Sequence, residues 1–191
     1  MTPLELLAEQ AADCTLCPLA ETRTQVVFSR GNPDAELVFV GEAPGRDEDL
    51  QGLPFVGRSG QLLDRLVAEE IGLHRDEFYV LNTIKCRPPG NRDPRPEELA
   101  ACSTWFDRQL ELLDPEVVVT LGNFATRRLL DTSDGITKLR GRTYPYRGSV
   151  LIPTFHPAAV LRGGGVALAQ MRADLVRAKE ALQVAGAAAV P

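Results

Sequence analysis

Three residues with complementary chemistry stand at the ends of short apolar runs: Glu42 in "GEAPG", Asn82 in "NTIKCRPPGN" and His156 in "FHPAAVLR". A carboxylate, an amide and an imidazole can together move a proton, stabilise a cation and read a pattern of donors and acceptors. Phe55, held in "PFVG" shortly after Glu42, adds a flat apolar face. The stretch "GEAPGRDEDLQGLPFVGRSG", residues 41–60, therefore supports two readings. The plain one is a surface Ω-loop that ends in a helix cap. The sharper one is a pocket that grips a planar group and does acid–base chemistry on it. Asn123, in "LGNFA", reads more simply as the start of a helix.

Four cysteines form a second constellation. Cys14 and Cys17 make a C-x-x-C pair, while Cys86 and Cys102 lie far along the chain. Two closely spaced thiolates and two remote ones can close a four-thiolate shell. Spacing alone leaves zinc and an iron–sulfur cluster open. Disulfides are not expected in a cytosolic chain.

The elements that must position these residues follow from hydrophobic patterning. Four β-branched runs read as strands: "AELVFVG" ending at 41, "EFYVLNT" at 77–83, "PEVVVTLG" at 115–122 and "SVLIPTFHP" at 149–157. Helical periodicity marks 59–71, 96–113 and 123–131 between them, with further helices at 3–12 and about 166–184. The prolines and glycine of "CRPPGNRDPRP" forbid a helix until Glu97. Alternating strands and helices predict an α/β fold, a three-layer α/β/α sandwich around a central, mainly parallel four-stranded sheet. One domain spans 1–184, and 185–191 is expected to be a flexible C-terminal tail. Ligands bind such sheets at the carboxyl ends of the strands, where Glu42, Asn82 and His156 converge.

A chain of 191 residues suits one domain. No apolar run could span a bilayer, and "MTPLELLAEQ" lacks the basic cluster of a signal peptide, so a cytoplasmic protein without membrane contact is expected. The net charge of −5 argues against broad, non-specific nucleic-acid binding. It does not exclude a local basic face.

Taken in order, "GEAPGRDED…G.PFVGRSGQLLD", "NTIKCRPPGNRDP" and "FHPAAVLR" resemble the motifs of the family 4 uracil-DNA glycosylases, the iron–sulfur type of bacteria and archaea. The resemblance runs from Cys14 to about Arg162. It implies a [4Fe–4S] cluster on Cys14, Cys17, Cys86 and Cys102, with a structural role. It also implies a monofunctional enzyme that extrudes uracil from DNA and hydrolyses its N-glycosidic bond. Related covalent uracil-DNA-trapping proteins carry a basic, histidine-containing loop where this chain has "KCRPPGNRDPRP". A non-catalytic or covalently trapping iron–sulfur protein that binds uracil-containing DNA is thus the alternative. A zinc-stabilised hydrolase of free nucleosides is a third reading.

Under the resemblance each pocket residue acquires a role. Phe55 stacks on the base, and the backbone at Gly41 and Ala43 approaches it. Asn82 donates to O4 and accepts from N3–H of uracil, a pattern that cytosine inverts. His156, neutral, donates to O2 as negative charge develops there. Related glycosylases of another family place an aspartate where this chain has Ala43, so positioning of water and support of the sugar cation fall to Glu42. Glu48 is a candidate wall against the thymine methyl, while Asp47 and Asp49 read as solvated charges.

DNA itself, single- or double-stranded, is expected to be gripped by a monomer. The grip uses the helix start at Arg58, Ser59 and Gly60, a rim of Lys85, Arg87, Arg92 and Arg95, and a wedge at Leu161 and Arg162. Arg140, Arg142 and Arg147 suit either DNA contacts or a solvated hairpin.

Overall fold

The computed structural model describes residues 1–188. The four expected apolar runs form β2 (Leu37–Gly41), β3 (Tyr79–Asn82), β4 (Val117–Leu121) and β6 (Ser149–Thr154). β2 pairs in parallel with both β3 and β4, and β4 pairs in parallel with β6. Every residue of β2, β3 and β4 is buried, as strands covered on both faces must be.

The sheet nevertheless has six strands rather than four. β1 (Arg30–Gly31) and β5 (Tyr144–Tyr146) add antiparallel edges beside β3 and β6, giving the order β1-β3-β2-β4-β6-β5. Two residues cannot display a period, and Pro145 belongs at an edge because it donates no ladder bond. Arg147 (φ 48°) and Gly148 (φ 93°) turn β5 into β6, both left-handed as a tight hairpin requires.

The helices cover both faces. α1 (Pro3–Ala12) starts at a capping box between Thr2 and Glu5. α3 (Arg58–Glu70) and α7 (Pro157–Ala188) pack Leu63, Leu66, Val67 and Leu175 with Phe39, Val119 and Ile152 of the sheet. On the other face α4 (Pro96–Leu113) and α5 (Asn123–Leu130) pack Phe106, Leu110 and Leu129 with Val38, Val118 and Leu151. The expected three-layer arrangement is therefore present. Two short helices escape the sequence pattern: α2 (Arg46–Gln51) and α6 (Ile136–Leu139).

α7 begins at Pro157, earlier than periodicity suggests, and breaks at Gly164 (φ 70°, ψ −159°), within a run of three glycines that removes the Cβ penalty for such a conformation. It continues through 185–188, into the segment expected to be a tail; residues 189–191 lie outside the described residues. Buried Asp174 of α7 accepts from Arg140 at 2.9 and 3.0 Å and from the Thr154 hydroxyl at 2.8 Å. Arg140 is thereby a structural ion pair rather than a DNA contact. Among the described residues no helix is long and apolar enough to cross a membrane.

The chain moves from β2 outward to β3, then returns past β2 to β4 and onward to β6. The reversal leaves a crevice at the carboxyl ends of β2 and β4, the switch point where open α/β sheets bind ligands.

Candidate active site

An open cleft of about 630 Å3 occupies that crevice, with Glu42, Ala43, Phe55, Asn82 and His156 in its wall. Glu42 follows β2 directly. The Thr83 hydroxyl donates to its carbonyl at 2.7 Å, and the Ile84 amide does so at 3.2 Å. The backbone of the β2 loop is thus tied to the β3 loop. The Glu42 carboxyl is half-buried; desolvation, reinforced by the negative charge of Asp93, pushes its pKa up to about 7.

Asn82 is 1% exposed, and its Oδ1 has no hydrogen-bond partner among the described residues. A buried amide oxygen left unpaired costs its desolvation unless something else fills the place. A Cβ on Gly41 would lie 2.4 Å from that oxygen and 2.6 Å from the Phe55 ring. The Asn82 amide and the Phe55 ring therefore close directly on the Gly41 backbone, and any side chain at position 41 would clash with both.

Phe55 holds the left-handed conformation (φ 56°), which costs a residue with a Cβ on the order of 1–2 kcal/mol. Its ring lies 5.6 Å from the His156 ring, tilted by 34°. The Ala158 amide donates to Nδ1 of His156 at 3.1 Å. In the neutral ring the proton must then reside on Nε2. Burial, with Arg162 adding positive charge, lowers the His156 pKa to about 4. The imidazole is accordingly a neutral donor at physiological pH.

Glu48 lines the same cleft, with its carboxylate tied to the surrounding backbone. Its carboxylate accepts from the amides of Gly45, Val56 and Gly57 at 3.1, 3.1 and 3.0 Å, and it closes the first turn of α2. Asp49, expected to be solvated, is buried and accepts from the Thr24 amide at 2.9 Å.

The basic residues divide. Arg58, Ser59 and Arg162 line the cleft mouth, and Leu161 is exposed beside Arg162 on the first turns of α7. Gly60 is buried, and a Cβ there would strike the Phe55 carbonyl at 1.8 Å; this glycine permits close packing beneath the platform. Arg87 is half-buried and bonds Oδ1 of Asn91 at 2.7 Å. Arg92 is committed to Glu98 at 2.9 and 2.5 Å. Asn91, absent from the sequence reading, lines the cleft with φ 54°.

Lys85 must be corrected. It is 1% exposed, not on a rim, and its ammonium donates to the Asn82 carbonyl at 2.9 Å and to Gln109. Phe28 and Phe106 lie 5.4 and 5.6 Å from it, and burial pushes its pKa down to about 7. No phosphate can reach a fully buried ammonium. It supports Asn82 from behind.

Cys14, Cys17, Cys86 and Cys102 line one apolar pocket between α1, the β3 loop and α4. Three of the sulfurs already accept hydrogen bonds: Cys14 from the Trp105 indole at 3.1 Å, Cys86 from Arg23 at 3.3 Å, and Cys102 from the Lys85 amide at 3.3 Å. Nitrogen donors aimed at sulfur suit thiolates that ligate a metal centre. All four thiols are free, and burial pushes Cys86 up to about 11, so ligation must expel its proton.

A mainly parallel sheet whose crevice brings an unpaired amide oxygen, a neutral histidine, an aromatic ring and a half-buried carboxyl into one cleft describes an α/β protein with an enzyme-like site. Comparison with known proteins gives the family. Residues 28–182 match the family model of the uracil DNA glycosylase superfamily, and the chain belongs to it. It is 47% identical over 161 residues to the type-4 uracil-DNA glycosylase of Thermotoga maritima, covering 83% of each chain. It is 43% identical over 169 residues to the type-4 uracil-DNA glycosylase of Sulfurisphaera tokodaii, covering 84% of this chain and 77% of the relative. A type-5 uracil-DNA glycosylase of Thermus thermophilus is 31% identical over 181 residues, with 78% and 80% covered.

Proposed function

We propose that the protein is a monofunctional uracil-DNA glycosylase of base excision repair. It flips uracil out of single- or double-stranded DNA and hydrolyses the N-glycosidic bond, releasing uracil and leaving an abasic site. The observation that carries this reading is the unpaired, buried Oδ1 of Asn82 near the Phe55 ring. N3–H of uracil would satisfy that oxygen and O4 would accept from the same amide, whereas cytosine would set donor against donor and acceptor against acceptor.

The remaining residues fit the bond-breaking step. Phe55 stacks on the extruded ring, with the backbone of Gly41 and Ala43 at its edge. Nε2–H of His156 donates to O2, where charge develops as the bond lengthens. Glu42 orients the attacking water and its carboxylate offsets the positive charge on the sugar. With alanine at position 43, the neighbouring residue offers no side-chain base. Arg58, Ser59, the Gly60 amide, Arg87 and Arg162 hold the phosphates, and Leu161 enters the space vacated by the base.

The four cysteines would hold a [4Fe–4S] cluster, which when bound ties α1 to the β3 loop and α4. All four sulfurs share one pocket, and the likeness to type-4 uracil-DNA glycosylases favours a cluster over zinc there. Cysteines kept as ligands fit a cytoplasmic protein, and we take the protein to act as one domain and as a monomer.

Incubation with an oligonucleotide bearing one deoxyuridine tests the function. Free uracil and an alkali-labile abasic site, without strand cleavage by the protein itself, are expected. Tight binding without release would establish the non-catalytic or trapping alternative instead.

A further inference from the structure

We propose that Arg30 and Glu48 are positioning residues that hold Phe55 in its stacking orientation by gripping the peptide groups on either side of it. The inference rests on the glycosylase reading above and extends it to residues that act on the backbone of Phe55. Arg30 donates from Nε to the Pro54 carbonyl at 2.9 Å. Glu48 accepts from the amides of Val56 and Gly57 at 3.1 and 3.0 Å. A cation therefore holds the peptide oxygen just before Phe55 and an anion holds the two amides just after it. Between them sits the one aromatic side chain among the described residues with a positive φ. Left-handed backbone at a residue with a Cβ persists where its surroundings over-determine it.

Both grips are anchored. Arg30 is ion-paired to Asp64 of α3 and lies 5.4 Å over the Phe78 ring. The second oxygen of Glu48 accepts from the Gly45 amide at 3.1 Å. One carboxylate thus joins the loop that carries Glu42 to the loop that carries Phe55. The Cβ-free surface of Gly60 closes the third side against the Phe55 carbonyl.

Arg30 is a poor choice for stability alone. It is 7% exposed, and its Nη1 has no acceptor; burial lowers its pKa, against the opposing pull of Asp64. A buried charge with incomplete hydrogen bonding is commonly replaced by apolar packing at no loss. The task an apolar residue could not perform is the bond to the Pro54 carbonyl.

Two DNA probes isolate the effect. One duplex carries 2′-fluoro-2′-deoxyuridine, whose uracil resists hydrolysis; the other carries a tetrahydrofuran abasic analogue with no base to stack. Arg30→Lys retains the charge facing Asp64 but cannot hold Asp64 and Pro54 through separate nitrogens. Glu48→Ala removes the acceptor of all three amides. Each variant should lose about tenfold in affinity for the uracil duplex, in the range of one lost stacking contact, and stay within about twofold on the abasic duplex. In a Phe55→Ala background the loss should vanish, because coupled residues are non-additive. An unchanged affinity, an equal loss on both duplexes, or a loss that persists without Phe55 would overturn the positioning role. The equal-loss outcome also captures variants that merely unfold. Uracil release from ordinary deoxyuridine, measured in parallel on the wild type, separates the two claims: no release overturns the glycosylase reading, whereas release with additive variants overturns the positioning role alone.

Discussion

The amide of Ala158 donates to Nδ1 of His156 at 3.1 Å, and this local bond decides which nitrogen can serve a substrate. With Nδ1 occupied as an acceptor, the neutral ring presents Nε2–H. The bond arises because "HPAA" enters a helix at once, leaving a first-turn amide to be capped by the side chain two residues earlier.

From this geometry, His156 should remain the neutral Nε2–H tautomer from pH 9 down to about pH 5, since its folded pKa is about 4. Nitrogen chemical shifts of labelled histidine would show it, and titration near pH 6.5 would refute it. His156→Ala should lower the single-turnover rate by about 100-fold to 1000-fold, the usual cost of a lost donor to a developing oxyanion. Affinity for the abasic duplex should hardly change.

Glu42 gives the reaction a pH dependence of opposite origin. Its carboxyl is raised to about 7, and the role in water positioning requires the ionised form. The single-turnover rate divided by the half-saturating enzyme concentration should therefore climb through pH 7 and level off above it. Glu42→Gln should be slower throughout and should lack that climb. A wild-type profile flat between pH 6 and 8 would remove Glu42 from the ionising step.

The same shift bears on stability. Between the unfolded value near 4.5 and the folded value near 7, the native state retains a proton that the unfolded chain has released. Stability contributed by this group is thus lost as pH rises through that window. Glu42→Gln should raise Tm by about 2–4 °C at pH 8 and leave it nearly unchanged at pH 4. A substitution that slows catalysis while strengthening the fold is what a functional carboxyl placed against its own solvation predicts.

Glu42, Asn82 and His156 were legible in the sequence because parallel strands end on one side, and each stands at a strand end. The signal came from chain order and continuous β-branched runs, both local. Residues that act across the fold were hidden. Arg30 meets Pro54 over 24 positions, and nothing in "SRGNP" announces a buried guanidinium. Asp49 was misread because "DEDLQ" resembles a solvated acidic run, whereas Asp49 is buried and three backbone amides claim the carboxylate of neighbouring Glu48. Lys85 shares a proline-rich segment with three arginines and so resembled a basic rim. Its burial is decided by Gln109 and Phe106 of α4 and by Phe28, which no short window contains.

Lys85 and Arg162 should consequently separate in their response to salt. Each phosphate neutralised by a basic side chain contributes about 0.9 to the slope of log affinity against log salt for duplex DNA. Arg162→Ala, which removes an exposed charge at the cleft mouth, should reduce the slope by about 1 and leave Tm unchanged. Lys85→Met should do the reverse. It leaves the slope intact but strands the buried Asn82 carbonyl and the Gln109 amide oxygen, each costing about 1–3 kcal/mol, so Tm should fall by at least about 3 °C. Because the Asn82 carbonyl loses its anchor, discrimination between uracil and cytosine duplexes should weaken as well. Affinities at four salt concentrations, with melting curves on the same preparations, decide the matter. A reduced slope for Lys85→Met would return that lysine to the DNA surface.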